Sequence, residues 1–438
     1  MMKWLNGAGF LLLTAFAFII FYSFLVFETR LNQVNLLPYA AASMFLLFRF
    51  NALLKQGFKL AGSEVLLLAL LSICWGTILY HKFNSVEEFS EDGFPAIQQV
   101  FNHLVFGCLW LLVGASVARF KAKPSNLIAV LLMSALAAAV VLGVLNSEGS
   151  FTIEYWKLDI IAEDNDRLTH LTFGYLATLI YAMSYSFATS LRPIIFVVGF
   201  LVLFPLDSRS AFFITVTAII IFELLAGSRK IFARLIVPVA LIGVAIFTIV
   251  QLDVIDFDDP RNRRMLLAEG VDDDLSAQAR SDILQESLAA LPSQFFIGDP
   301  AYVVRQTGDH GLFIHNLLSA WQFFGFPAFV MFIVCLLAAL RRARRTVRQK
   351  QLDPVQMMGF IILIYIIIGV VVTHFVAHKL LWFSLGFWLL REPDSLQLAR
   401  SRAREQMSDA HTGRKKSLFD LFKPKRKKKR RRRSRRNS

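Results

Sequence analysis

The sequence predicts an all-α polytopic membrane protein with about twelve transmembrane helices and one large loop bearing short helices. Three observations carry that prediction. Of 438 residues, 56% are hydrophobic and 42 are Phe, and they fall in long blocks. The blocks reach the length of about 18–20 residues that a bilayer crossing needs, and helices satisfy their own backbone polar groups in lipid. The loops between blocks alternate in charge.

The apolar runs lie near 8–27, 33–50, 62–80, 97–118, 126–145, 170–189, 192–206, 210–226, 232–250, 315–340, 356–373 and 378–391. The seventh and the last are short, so ten or eleven spans also fit. The first run is too long for the apolar core of a signal peptide and no small-x-small site follows it cleanly, so it reads as a retained span. Cys74, Cys108 and Cys335 all fall inside runs, which suits neither a shared metal nor an obvious disulfide.

The segments 49–59, 119–123, 190–193, 227–234 and 341–350 are basic, whereas 81–94 and 146–166 are acidic on balance. The two sets fall on opposite sides of the membrane if the runs are spans. The positive-inside rule then puts both termini in the cytoplasm. It puts residues 251–314, with 12 acidic and 5 basic residues, outside. The spanning domain is expected over 1–398, with that loop within it. From Arg400 onward there are 18 Lys and Arg against 3 Asp and Glu, a net +15 equal to that of the whole chain. Residues 399–438 therefore read as a disordered basic cytoplasmic tail. A solvated tail that fixes topology is preferred over contact with anionic lipid heads or RNA, and no nucleic-acid partner is expected.

Few ionisable residues are expected deep in the spans. His103 stands out and reads as a packed core residue. Ion-coupled carriers place acids and bases along their path, so a transporter or flippase is the weaker alternative. There is no P-loop, GxGxxG or zinc spacing, and the acid clusters of the loop read as solvated charge. The interesting polar residues sit at the expected outer lips. Arg209 lies in "FPLDSRSAFF", Arg280 opens a helical pattern over 277–300 that ends at Pro292, and His315 with Asn316 opens "HNLLSAWQFFGFPAF". Each has a plain reading as an anchor or a solvated group. Together they suit one chemistry. Guanidinium groups bind diphosphate in fork geometry, and a neutral histidine takes a proton from a hydroxyl. His170, His374 and His378 are second candidates for the base, although the last two, in "THFVAHK", alone read as interfacial residues.

The segments "SRSAFF", the loop helix running to "FFIGDP", and "HNLLSAWQFFGFPAFVMFIVCLL" together resemble the O-antigen ligase and polymerase family of bacterial envelopes. In motif the resemblance covers roughly 170–340, with His315, Asn316, Leu318 and Gly325 matching the HN pattern. "NDRLTHLTFGYLATL" adds Arg167 and His170, and Ser208 precedes the arginine of its motif. The resemblance implies a GT-C-like, metal-independent glycosyltransferase of the bacterial inner membrane with a periplasmic site and no cofactor. The implied donor is an undecaprenyl-diphosphate-linked glycan and the implied ligase acceptor is the lipid A–core oligosaccharide. His315 would be the general base, Arg209 and Arg280 the diphosphate binders. Asn316, Arg167, His170 and Ser208 would support them. Ligase and polymerase share this chemistry, and a compact chain with one dominant outer loop favours the ligase. The basic tail is no part of the family pattern.

Overall fold

A computed structural model describes residues 62–84, 95–145, 170–206, 208–226, 237–240, 243–244, 275–308, 314–348, 352–374 and 376–390. The chain divides into Met1–Arg391 and Glu392–Ser438, and every described residue belongs to the first unit. Its main elements are all helical. They are α1 (Gly62–Asn84), α2 (Ala96–Val117), α3 (Asn126–Leu145), α4 (His170–Phe187), α5 (Arg192–Leu203), α6 (Arg209–Ala226), α7 (Leu275–Ala290), α8 (Tyr302–Thr307), α9 (Ser319–Phe324), α10 (Phe326–Arg348), α11 (Pro354–Val372) and α12 (Lys379–Leu389). Short 3₁₀ turns extend α5 over Phe204–Leu206 and α7 over Leu291–Gln294.

Six of these, α1, α2, α3, α6, α10 and α11, contain stretches long and apolar enough to cross a membrane. The expected runs near 8–27 and 33–50, and most of 232–250, lie outside the described residues, as do the tail and all of 251–274. The expected tenth span, 315–340, is not one helix. Gly325 breaks it into α9 and α10, and the His315–Asn316 pair lies in a turn before α9. Pro327 follows the break at the second position of α10, where a missing N–H leaves no hydrogen bond unmade.

Side-chain contacts gather helix ends into two groups. At one end, Ser63 Oγ donates to the Leu389 carbonyl (2.8 Å), and Arg342 reaches the same oxygen from the last turns of α10 (3.3 Å). The Trp388 indole N–H bonds Gly359 O (3.0 Å), which brings the start of α11 there too. Arg192 bonds Met357 Sδ, which adds the start of α5. This is the end of the basic segments at 119–123, 190–193 and 341–348. At the other end, Thr77 Oγ1 bonds Phe324 O (3.3 Å) and Trp382 Nε1 bonds Val376 O (2.9 Å). At the basic end α1, α5 and α11 thus begin, and α10 and α12 end.

α11 is the axis of the bundle. Of its apolar window 72% is buried, against 28–44% for the other five. Those five turn Leu, Val and Phe outward, among them Leu127, Leu131 and Leu145 on α3. That surface suits hydrocarbon rather than water. α12 is shorter and almost wholly buried, because glycines let α2 close on it. A Cβ at Gly386 would fall on the Leu111 carbonyl oxygen, one at Gly114 on the Phe383 carbonyl, and one at Gly107 on the Trp382 ring. Backbone cannot give way as a flexible side chain can. Gly386→Ala is therefore expected to cost about 1–3 kcal/mol of stability. Thermal unfolding of the purified protein in detergent measures it, and an unchanged midpoint would refute the close contact.

Candidate functional site

The HN turn is built from satisfied backbone. Ile314 N–H donates to Gln322 Oε1 (3.2 Å) and Leu318 N–H to Asn316 Oδ1 (2.8 Å). Leu317 N–H donates across to Val370 O at the end of α11 (2.8 Å). Ser319, wholly buried, is the pin: its hydroxyl donates to Asn316 O (2.7 Å) and accepts from Val376 N–H (2.9 Å). Asn316 therefore spends its side-chain oxygen in holding the turn. His315 and Asn316 are half-buried, at the lip of the bundle rather than inside a span.

The segment after α7 straps this turn from the other side. Asp299 N–H donates to Gln322 O (2.7 Å) and Phe326 N–H to Phe295 O (2.8 Å). His81 Nε2 meets Gly298 O at 2.6 Å, tying in α1. A Cβ at Gly298 would collide with the Phe323–Phe324 backbone, and Gly325 holds φ 86°, ψ 166°, a region open to glycine. The helix that carries Arg280 is thus fastened to the broken HN helix. The helical pattern expected over 277–300 is α7 with its 3₁₀ extension; the Arg280 side chain lies outside the described residues.

Behind the turn stands a buried histidine pair. His374 and His378 are 1% and 3% exposed, and their rings stack with centroids 4.1 Å apart. They are not the interfacial residues that their sequence suggests. The turn between α11 and α12 folds inward, and Gly369 leaves room for the His374 ring. His374 is bonded at both nitrogens, to Thr373 Oγ1 (2.9 Å) and to Tyr365 OH (3.0 Å). On the neighbouring helices Thr178 donates to Thr215 (2.9 Å), which donates to Ala211 O. His378 Nδ1 accepts from Leu380 N–H (3.2 Å); its Nε2 has no partner among the described residues. Tyr175 of α4 covers both rings.

The same α4 reaches the start of α6. A Cβ at Gly174 would meet Ser208 and Ala211, so the two helices touch beside the residue that covers the histidines. Ser208 is buried, and its hydroxyl has no partner among the described residues. Arg209 is the first residue of α6 and half-buried. Ser208, Arg209, the histidine pair and the HN turn therefore share one end of the bundle. His170 begins α4 at that end, with its side chain outside the described residues, and Arg167 lies wholly outside them.

His103 of α2 lines a small, largely apolar cavity with Phe323, Val376 and Trp382, close behind the HN helix. One buried acid escaped sequence reasoning. Glu223, fully buried in α6, accepts from Tyr185 OH (2.9 Å) and pairs with Arg192 (3.3 Å) at the opposite, basic end. The expectation that His103 is the main ionisable group within the spans is corrected accordingly. A glutamate in the last turn of a span, just before a basic segment, looks interfacial until its partner 31 residues away is known.

Comparison of the chain with family models, characterised proteins and solved structures finds no match.

Two outcomes are expected from this geometry. Gly325→Ala should lose about 1–3 kcal/mol, because alanine is strained at that φ and ψ and its methyl meets the strap. Thermal unfolding checks it. The histidine pair makes stability acid-sensitive. Burial pushes His374 down to about 3 from its ordinary 6.5. It also holds His378 well below its ordinary value, with repulsion from His374 and Lys379 adding to the effect. Between those pH values the unfolded chain binds more protons than the folded one. Stability is thus undiminished above about pH 6.5 and falls as pH drops from there towards 3. The melting temperature should fall between pH 7 and pH 5, and by less in His374→Gln.

Proposed function

We propose that this chain is a membrane glycosyltransferase of the O-antigen ligase type, acting at the histidine end of the bundle on a lipid-diphosphate-linked glycan. One observation carries the reading. The HN turn, the start of α6 with Arg209 and the α7 strap reach a single end of the bundle, where a lipid-linked diphosphate presents its head group. In this mechanism neutral His315 accepts the proton of an acceptor hydroxyl. The hydroxyl oxygen attacks the anomeric carbon, the glycosidic C–O bond to phosphate breaks, and the lipid diphosphate departs with the bonding electrons. Arg209 and Arg280 take the growing negative charge on that leaving group. Ser319 and Asn316 keep the base at the lip by fixing the backbone beneath it. The donor is proposed to be an undecaprenyl-diphosphate glycan and the acceptor the lipid A–core oligosaccharide, with the site on the periplasmic side of a bacterial inner membrane. Glu223 and Arg192 do not supply the open charge that a carrier needs, because they close on each other at the far end.

The test is transfer from purified donor to acceptor in detergent or liposomes. His315→Ala should lose about 10²–10⁴-fold in rate, the contribution typical of a general base. Near-normal activity in that variant would remove His315 from the chemistry. Arg209→Lys and Arg280→Lys keep the charge but lose the fork, so each should be impaired about 10-fold or more. A mere membrane anchor would tolerate lysine. EDTA should leave transfer intact, because the arginines do the work a divalent cation does elsewhere. In a deletion strain, lipid-linked polymer should accumulate and polymer on lipid A should vanish. A surviving single-repeat product would instead assign the chain as a polymerase.

A further inference from the structure

We propose that Leu288–Ile297 lies in the lipid–water interface, with its apolar side chains in contact with acyl chains, so that the loop helix α7 is seated on the membrane. Four side chains point to it. Phe296 is 76% exposed, Leu288 44%, and Phe295 and Ile297 40% each. They sit in "LAALPSQFFI", ten residues without a charge, inside a loop that carries 12 acidic and 5 basic residues over 251–314. An acidic loop facing anionic lipid is repelled, and a charge-free apolar stretch is the part of it that can approach.

Depth is set by what the segment touches. Phe295 O accepts from Phe326 N–H, at the first residue of α10, so the strap lies where that membrane-length helix begins. The Phe295 ring stacks on Phe326 (4.8 Å, 21°) and stands 6.0 Å from Trp321. Further along α10, Val330 and Leu337 are also turned outward. The exposed rings thus continue the lipid-facing surface of α10 up to its end. Aromatic residues favour that level of a bilayer, with the ring in the apolar layer and the backbone near water. The protein-facing row of the segment, Ser287, Leu291 and Gln294, is separately buried. The outward residues are therefore not an unfinished protein core. The inference concerns the loop's contact with lipid and holds whether or not the chain transfers glycan.

Site-directed spin labelling tests it. The full chain is reconstituted into phosphatidylethanolamine–phosphatidylglycerol vesicles with a nitroxide at Phe296→Cys, at Ile297→Cys, or at Glu286→Cys on the polar face of α7. Cys74, Cys108 and Cys335 are native, and labelling of the unsubstituted chain sets their background. Labels at 296 and 297 should collide more with oxygen than with a water-soluble nickel chelate, and the label at 286 should show the reverse. Two independent positions guard against one variant failing to fold. Labels at 296 and 297 as open to nickel as that at 286 would overturn the proposal. So would labels shielded from both reagents, which would indicate a protein cover rather than lipid.

Discussion

A helix broken at the edge of a membrane must find partners for the backbone groups that the break releases, and this one obligation organises the histidine end of the protein. Between Ile314 and Phe326 the backbone leaves helical geometry twice, at the HN turn and at Gly325. Gln322, Asn316 and Ser319 meet the demand from within, Val370 and Val376 from the α11–α12 turn, and Phe295 and Asp299 from the loop. The donors and acceptors come from three separate stretches of chain. Satisfying the break is therefore the same event as docking the loop onto α9 and α10 and folding the histidine turn inward.

The two ends of the bundle solve opposite electrostatic problems. At the basic end the buried carboxyl of Glu223 is held by half-buried Arg192 and by Tyr185 together. At the histidine end burial acts on neutral groups: His374 bonds Tyr365 of α11, and Thr178 of α4 bonds Thr215 of α6, without a formal charge. A neutral, hydrogen-bonded wall behind a polar lip is a poor place for an ion to rest. It is a good backing for residues that must hold their geometry while charge develops in front of them.

Much of the bundle was legible in the sequence. Long apolar runs fix helices because lipid permits few other structures. The break at Gly325 also left a mark, since Gly-Phe-Pro is a stop followed by a start. It was masked by the unbroken apolarity of 317–340, which reads as a single span. What the sequence did not convey was pairing at a distance. Glu223 looks interfacial without Arg192, and "THFVAHK" looks like a wet turn without Gly369 and Tyr175 to receive its rings. Of the proposed site, the HN turn and Arg209 are found at one end. Arg280 is placed by its helix, and Arg167 and the side chain of His170 lie outside what the structure describes.

The Glu223–Arg192 pair has a consequence for how this sequence can change over generations. Losing Arg192 leaves the fully buried Glu223 without its counter-ion, at a cost of about 3–5 kcal/mol, a large share of what holds a domain folded. Replacing both by well-packed apolar residues costs little or nothing. The single loss of Arg192 is thus closed while the double step is open. The two positions, 31 apart in the chain, should be inherited together or lost together.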